Sequence, residues 1–249
     1  MQNGPYILSI AGFDPCGGAG VLADIKTIEA HKALGLGVCT SITYQNDIAF
    51  KGLSWLPEKE ITAQIDALLE RFEIRYIKIG LIQSYENLLA LISHLRKVLP
   101  DAYILWDPIL KASAGFEFHV SPGQTLLASI VDQLDLITPN TLELKNLIPD
   151  YELQEAASLL SNHCNVLLKG GHLETDHSND YLYRGGKENV FEGKRIASEK
   201  RGTGCVLSSA ILSNLSLGLS LEASIVKAKL YIEQYLASST SRLGLHYHV

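Results

Sequence analysis

The feature that most restricts the fold is a repeated exchange between short apolar runs and longer stretches of helical period. Apolar runs at residues 6–11, 38–43, 76–80, 103–106 and 136–138, with a further one from 165 that delivers Lys169, are each bounded by turn residues. Runs of this length without polar alternation suit strands buried on both faces, as in a parallel sheet. Between them, apolar residues recur near the helical period at 21–34, 57–72, 85–99, 126–134, 204–217 and 221–239. Pro57 falls at a helix start, where its missing N–H costs least. Residues 179–183 and 190–196, joined through Arg184-Gly185-Gly186-Lys187, suit an antiparallel edge hairpin. No repeat, linker or low-complexity segment interrupts the pattern, so an α/β chain with a single domain over 1–249 is expected.

Composition narrows the partner. A net charge of −6 with no grouped Lys/Arg argues against nucleic acid, because phosphate neutralisation needs clustered positive charge. No apolar run reaches membrane-spanning length, and the first residues lack the basic start and apolar core of an export signal, so a cytoplasmic location and no membrane partner are expected. Cys16, Cys39, Cys164 and Cys205 show no paired spacing, which argues for free thiols rather than a zinc site or disulfides. A small-molecule substrate is the expected partner.

The stretch Arg201-Gly202-Thr203-Gly204-Cys205 runs directly into an apolar helix. Free N–H groups at a helix start, backed by the helix dipole, receive phosphate or developing negative charge. A cysteine in that first turn is expected to have a lowered pKa and some thiolate character, with a buried structural cysteine as the alternative.

In open α/β sheets ligands bind outside the carboxyl ends of the strands. Gln45 stands at such an end and can present an amide to a heteroaromatic ring, although a turn role suits Gln45 and Asn46 equally well. Asp107 ends the run at 103–106, and Lys169 lies just before a glycine pair, placed to neutralise phosphate. Asn140 with Glu143 reads as a capping box, and the same residues are suitable oxygen ligands for the water shell of magnesium. Residues 111–123 form either a flap over this rim or a surface loop. His246 and His248 make an H-x-H that reads as an ordinary terminal tail. Gly18-Ala19-Gly20-Val21-Leu22-Ala23 fits a dinucleotide fingerprint, but the next strand ends without the required acidic residue; Gly20 with Lys26-Thr27 fails as a phosphate loop because Ile25 stands where the second glycine belongs.

Taken together, Ala11-Gly12-Phe13-Asp14-Pro15-Cys16-Gly17-Gly18-Ala19-Gly20 with Asp24, Gln45-Asn46, Lys78-Ile79-Gly80, Asp107-Pro108, Thr138-Pro139-Asn140 with Glu143, Lys169-Gly170-Gly171-His172 and Gly202-Thr203-Gly204-Cys205 closely resemble the hydroxymethylpyrimidine/phosphomethylpyrimidine kinases of thiamine biosynthesis. The resemblance runs in order over nearly the whole chain. It implies a ribokinase-like three-layer sandwich: a mainly parallel central sheet with helices on both faces and an antiparallel edge hairpin. It further implies transfer of the ATP γ-phosphoryl group, with Mg2+, to a pyrimidine hydroxymethyl group or its monophosphate. On that resemblance Gly12, Asp24, Gln45, Gly80 and Ile109 surround the ring, Lys169, Asn140 and Thr203 contact the phosphates, and Asp107 and Glu143 serve the magnesium, through water where needed. Gly202, Thr203 and Gly204 would stabilise the transferring group, with Cys205 at the catalytic base position. A homodimer is the family expectation. Leu81, Leu142 and Arg201 depart from residues common in the family, methionine, proline and histidine respectively. A pyridoxine or pyridoxal kinase is the alternative acceptor reading, and a non-catalytic binder of such a ring is a third.

Overall fold

The computed structural model describes residues 4–109, 121–170, 178–198 and 200–246. The loop expectation at 111–123 therefore falls mostly outside the described residues, as do Gly171, His172 and His248.

Nine strands form one sheet: β1 (Tyr6–Phe13), β2 (Leu34–Gln45), β3 (Phe50–Trp55), β4 (Tyr76–Ile79), β5 (Tyr103–Trp106), β6 (Leu136–Ile137), β7 (Asn165–Leu168), β8 (Asp180–Arg184) and β9 (Lys187–Phe191). Their spatial order is β3-β2-β1-β4-β5-β6-β7-β8-β9. Strands β2, β1, β4, β5, β6 and β7 run parallel, while β3 at one edge and β8 and β9 at the other are antiparallel. The helices are α1 (Gly20–Ala30), α2 (Glu58–Leu69), α3 (Tyr85–Val98), α4 (Gln124–Val131), α5 (Thr141–Leu147), α6 (Leu153–Leu160), α7 (Thr203–Ser216) and α8 (Leu221–Ala237). Two of these elements went unforeseen. Strand β3 mixes Lys51, Gly52 and Ser54 with its apolar residues and so has no clean alternation, and α6, although amphipathic, is only 8 residues long, too short a window for a helical period to stand out.

The two-residue period of the strands sorts side chains into two layers. Leu8, Ile10, Ile77, Ile79, Ile104, Ile137 and Val166 pack with α3, α4 and α6, whereas Ile7, Leu105, Leu136 and Leu167 pack with α1, α7 and α8. The result is the three-layer sandwich anticipated above. Because consecutive parallel strands need a crossover, every chain exit at one end of the sheet carries a loop, and those loops collect the polar residues. The long helices start where the sequence supplies a cap: Ser84 for α3 and Ser220 for α8 each accept a hydrogen bond from a first-turn amide. Helix α7 differs, with Gly202 as its N-cap and no side-chain cap.

Candidate active site

The carboxyl ends of β1, β2, β4, β5 and β7, with the turn after β6, converge on the first turn of α7. Gly202 is left-handed (φ 67), and a β-carbon there would lie 1.9 Å from the Gly18 carbonyl oxygen. Only glycine fits both demands, so the cradle is pressed against the loop after β1. That loop is closed by the Asp14 carboxylate, which accepts from the amides of Cys16 and Ala19 (3.0 Å each) and from the Cys16 thiol (3.0 Å). Gly20 is equally constrained: its φ is 59 and a β-carbon would sit 2.1 Å from the Gly12 carbonyl oxygen.

Facing the cradle is a compact charged group. Asp107, buried at the end of β5, accepts from Lys169 Nζ (2.8 Å) and Thr138 Oγ1 (3.0 Å) through Oδ1 and from Ser208 Oγ (3.1 Å) through Oδ2. Lys169 also lies 3.6 Å from Glu143 Oε2. A β-carbon on Gly204 would come within 3.3 Å of Lys169 Nζ and 3.8 Å of Asp107 Oδ2, so the ammonium and the carboxylate abut the helix start. Burial alone would raise the Asp107 carboxyl, but Lys169 and Lys78 outweigh it and hold the group below the usual carboxylate range. Burial likewise opposes the Lys169 charge, yet Asp107 and Glu143 keep it above the ordinary lysine range. For Glu143, burial together with the nearby Asp107 charge prevails over Lys169 and pushes the carboxyl up to about 7.

Asn140 and Glu143 form the capping box read from the sequence: Asn140 Oδ1 accepts from the Glu143 amide (2.9 Å) and Glu143 Oε2 accepts from the Asn140 amide (2.7 Å). The same box aims Glu143 at Lys169. Asn140 and Lys169 also pair as a single parallel bridge beyond β6 and β7.

The ring-side residues are arranged unevenly. Gly12 lies against Ser41 and Leu81, and a β-carbon on Gly80 would lie 3.7 Å from Ile109 Cδ1, which brings Gly12, Gly80 and Ile109 to adjacent strand ends. Gln45 ends β2 beside them, but its amide oxygen accepts from Arg201 (2.5 Å). Asp24 departs from its expected place. It is fully buried between β4, α1 and α7, its oxygens accepting from Lys78, Ser9 Oγ (2.6 Å) and Ser209 Oγ (2.9 Å), so it turns inward rather than toward a ring.

The expected thiolate character of Cys205 is also corrected. Burial, with Asp24 and Asp107 adding to it, outweighs the nearby Lys78 ammonium and pushes the thiol up to about 11. The helix start supplies a favourable dipole, but the side chain is buried near Lys78, Asp24 and Asp107 rather than facing water. Lys78 was quoted above only as part of a motif. A lysine inside the apolar run Tyr76-Ile77-Lys78-Ile79 was the available signal, since a charge on a buried strand demands a buried partner. Besides Asp24, its ammonium donates to the Cys205 carbonyl (3.4 Å), and this tethers the first turn of α7 to the sheet. Thr138 entered only as part of a motif, and Ser208 and Ser209 carried no signal, because their hydroxyls acquire partners only through the fold.

The terminal histidine that is described, His246, packs between Tyr231 and Tyr235, with Nδ1 3.1 Å from the Tyr231 hydroxyl. Among the described residues no group of three or more His, Cys, Asp or Glu could hold a metal ion, and no helix is long and apolar enough to cross a membrane.

Known proteins match this chain over nearly its whole length. A family model described as Phosphomethylpyrimidine kinase matches residues 14–249. A hydroxymethylpyrimidine/phosphomethylpyrimidine kinase from Aquifex aeolicus is 34% identical, with 97% of this chain and 98% of that protein covered. The crystal structure of a phosphomethylpyrimidine kinase from Clostridium difficile 630 superposes with a TM-score of 0.78 at 30% identity, covering 92% of this chain and 98% of that one. A Staphylococcus aureus pyridoxal kinase in complex with AMP-PCP and pyridoxal shares the fold at TM-score 0.81 and 22% identity, covering 94% and 88%. With the family match spanning all but the first residues, and a relative of this identity aligned end to end, the chain belongs to the phosphomethylpyrimidine kinase family.

Proposed function

We propose that the protein transfers the γ-phosphoryl group of ATP to the hydroxymethyl group of 4-amino-5-hydroxymethyl-2-methylpyrimidine, and to the corresponding monophosphate. The observation that carries this reading is the meeting of Lys169 and Asp107 with the open helix start at Gly204, within a chain that belongs to a kinase family. A pure ring-binding protein has no use for a buried ammonium and carboxylate aimed at a cradle for anions. Use of ATP is further supported by the AMP-PCP held by the structurally similar pyridoxal kinase.

The residues fit magnesium carried in with a polyphosphate. Asp107 and Glu143 offer oxygen only, share contact with one ammonium, and are too few to cage a bare ion, which suits a metal that keeps most of its water. Bound there, magnesium would neutralise charge on the phosphates. Lys169 would do the same from the protein side. The amides of Thr203, Gly204 and Cys205 would donate to the oxygens of the transferring group as the acceptor oxygen bonds to phosphorus and the bond to ADP breaks. Gly12, Gly80, Ile109 and Gln45 would hold the ring so that its hydroxyl lies beside Cys205. The thiol is protonated in the free chain, so its action as a base draws on the small thiolate fraction, and turnover is expected to rise with pH across the neutral range.

The exposed apolar residues Ile42, Tyr44 and Ile48 on the β2–β3 edge (46, 50 and 71% exposed) support a homodimer joined at that edge. A cytoplasmic location is part of this reading, supported by the free thiols of Cys16, Cys39, Cys164 and Cys205.

The deciding experiment is a coupled assay of ADP release with the hydroxymethylpyrimidine, its monophosphate, pyridoxine and pyridoxal as acceptors. Turnover of the pyrimidine above the pyridine acceptors is expected. Turnover of pyridoxal alone would move the assignment to the vitamin B6 ring, and acceptor binding without any ADP release would leave a binding protein.

A further inference from the structure

Arg201 begins the cradle, yet its side chain leaves it. The guanidinium crosses to the carboxyl end of β2, where it donates to the Asn46 carbonyl and to Gln45 Oε1 (2.5 Å). It is 6% exposed, and its Nε finds no partner. Both ends of this strut are fixed. At one end the Arg201 amide donates to the Arg242 carbonyl (2.9 Å) and the Arg201 carbonyl accepts from the Tyr235 hydroxyl (3.0 Å). At the other, Asn46 closes a tight turn, its side-chain oxygen accepting from the amides of Ile48 (2.9 Å) and Ala49 (2.8 Å). The β2–β3 register slips between Tyr44 and Gln45, a bulge that re-aims the Gln45 side chain.

A guanidinium has donors and no acceptor, so only the oxygen of the Gln45 amide can face it. The amide nitrogen is thereby turned away from Arg201, and among the described residues it has no partner of its own. We propose that Arg201 is a specificity-determining positioning residue: by holding the Gln45 oxygen on its own side, it fixes the direction of the amide, so that Gln45 presents its N–H to the acceptor ring and the ring must offer a lone pair there. This rests on the acceptor reading above. An unclamped amide could flip and serve a ring N–H as well as a ring nitrogen. A clamped one sets N–H against N–H, which leaves two donors unpaired and rejects the wrong ring.

The test compares two rings that differ in this respect. The 4-amino-pyrimidine offers a ring-nitrogen lone pair, and its 4-oxo analogue, in the lactam form, offers a ring N–H. Calorimetric affinities for both are measured in the wild type, Arg201→Ala and Arg201→Lys, with ATP-analogue affinity and thermal midpoint recorded for each. The wild type is expected to prefer the amino ring by about 10- to 100-fold. In Arg201→Ala that ratio falls at least about tenfold, partly because the oxo ring gains affinity, which a merely structural loss cannot produce. Arg201→Lys, which keeps the charge but not the fork, shifts the ratio in the same direction and decides the matter if the alanine variant does not fold. A ratio unchanged within about threefold, or equal loss for both rings, overturns the proposal while leaving the acceptor reading intact. A wild type that binds neither ring overturns the acceptor reading, and this proposal with it.

Discussion

Replacing Lys78 with methionine isolates the buried charge beneath the cradle. Lys78 and Asp24 are both fully buried, and in the native chain burial would push the ammonium down were it not for Asp24, Cys205 and Asp107, which hold it above the ordinary lysine range. Methionine keeps the length and apolar packing of the stem, so the change removes little besides the charge and its donors. Asp24 then retains only the hydroxyls of Ser9 and Ser209, and the Cys205 carbonyl loses its donor. Breaking a buried pair from one side costs about 3 to 5 kcal/mol, because the remaining charge is left uncompensated. Removing both charges, as in Lys78→Met with Asp24→Asn, is often neutral within about 1 kcal/mol or stabilising. The assay is urea denaturation of the single and double variants at pH 8. The single variant should lose about 3 to 5 kcal/mol, and the second substitution should recover most of the loss. A single variant within about 1 kcal/mol of the wild type at pH 8 would refute the reasoning, as would a double variant less stable than the single.

Cys205→Ala should lower turnover by roughly 10²- to 10⁴-fold with acceptor affinity nearly unchanged, measured by steady-state kinetics and calorimetry. With its thiol pushed up to about 11, Cys205 in the ligand-free protein should be alkylated by iodoacetamide roughly tenfold faster for each pH unit between 7 and 10, as followed by mass spectrometry. A rate flat across that range would mean that the thiolate is already formed at pH 7. Gly202→Ala should lower the thermal midpoint and turnover together, since a left-handed alanine costs about 1 to 2 kcal/mol and its methyl meets the Gly18 carbonyl. Glu143, raised from 4.5 to about 7, is protonated more readily folded than unfolded, so its contribution to stability is present at low pH and lost as pH rises from about 4.5 through about 7. Denaturation at pH 5 and pH 8 should show the wild type losing about 1 to 3 kcal/mol more than Glu143→Gln over that window; parallel curves would contradict the assignment.

The sequence determined the parallel strands, the crossover helices, the hairpin β8–β9 and the rim that carries Gln45, Asp107, Asn140, Glu143 and Lys169. Each of these is written in a local period, a cap or a strand end, and such signals depend only on near neighbours. Strand β3 was hidden because an edge strand of mixed polarity has no clean alternation. What only the tertiary structure decided was the pairing of groups far apart in the chain. Asp24 is a carboxylate that any loop or helix could expose, but α1 lays it over Lys78, and the low dielectric there binds the two to each other rather than to a ligand. Cys205 stands where a helix dipole favours a thiolate, yet the burial that α7 gains against the sheet outweighs that dipole. Arg201 reads as part of a glycine turn, and only folding carries its guanidinium across the rim to Gln45. Local chemistry named the parts of this site; desolvation and long-range pairing, which no stretch of sequence displays, set the charge and direction of each.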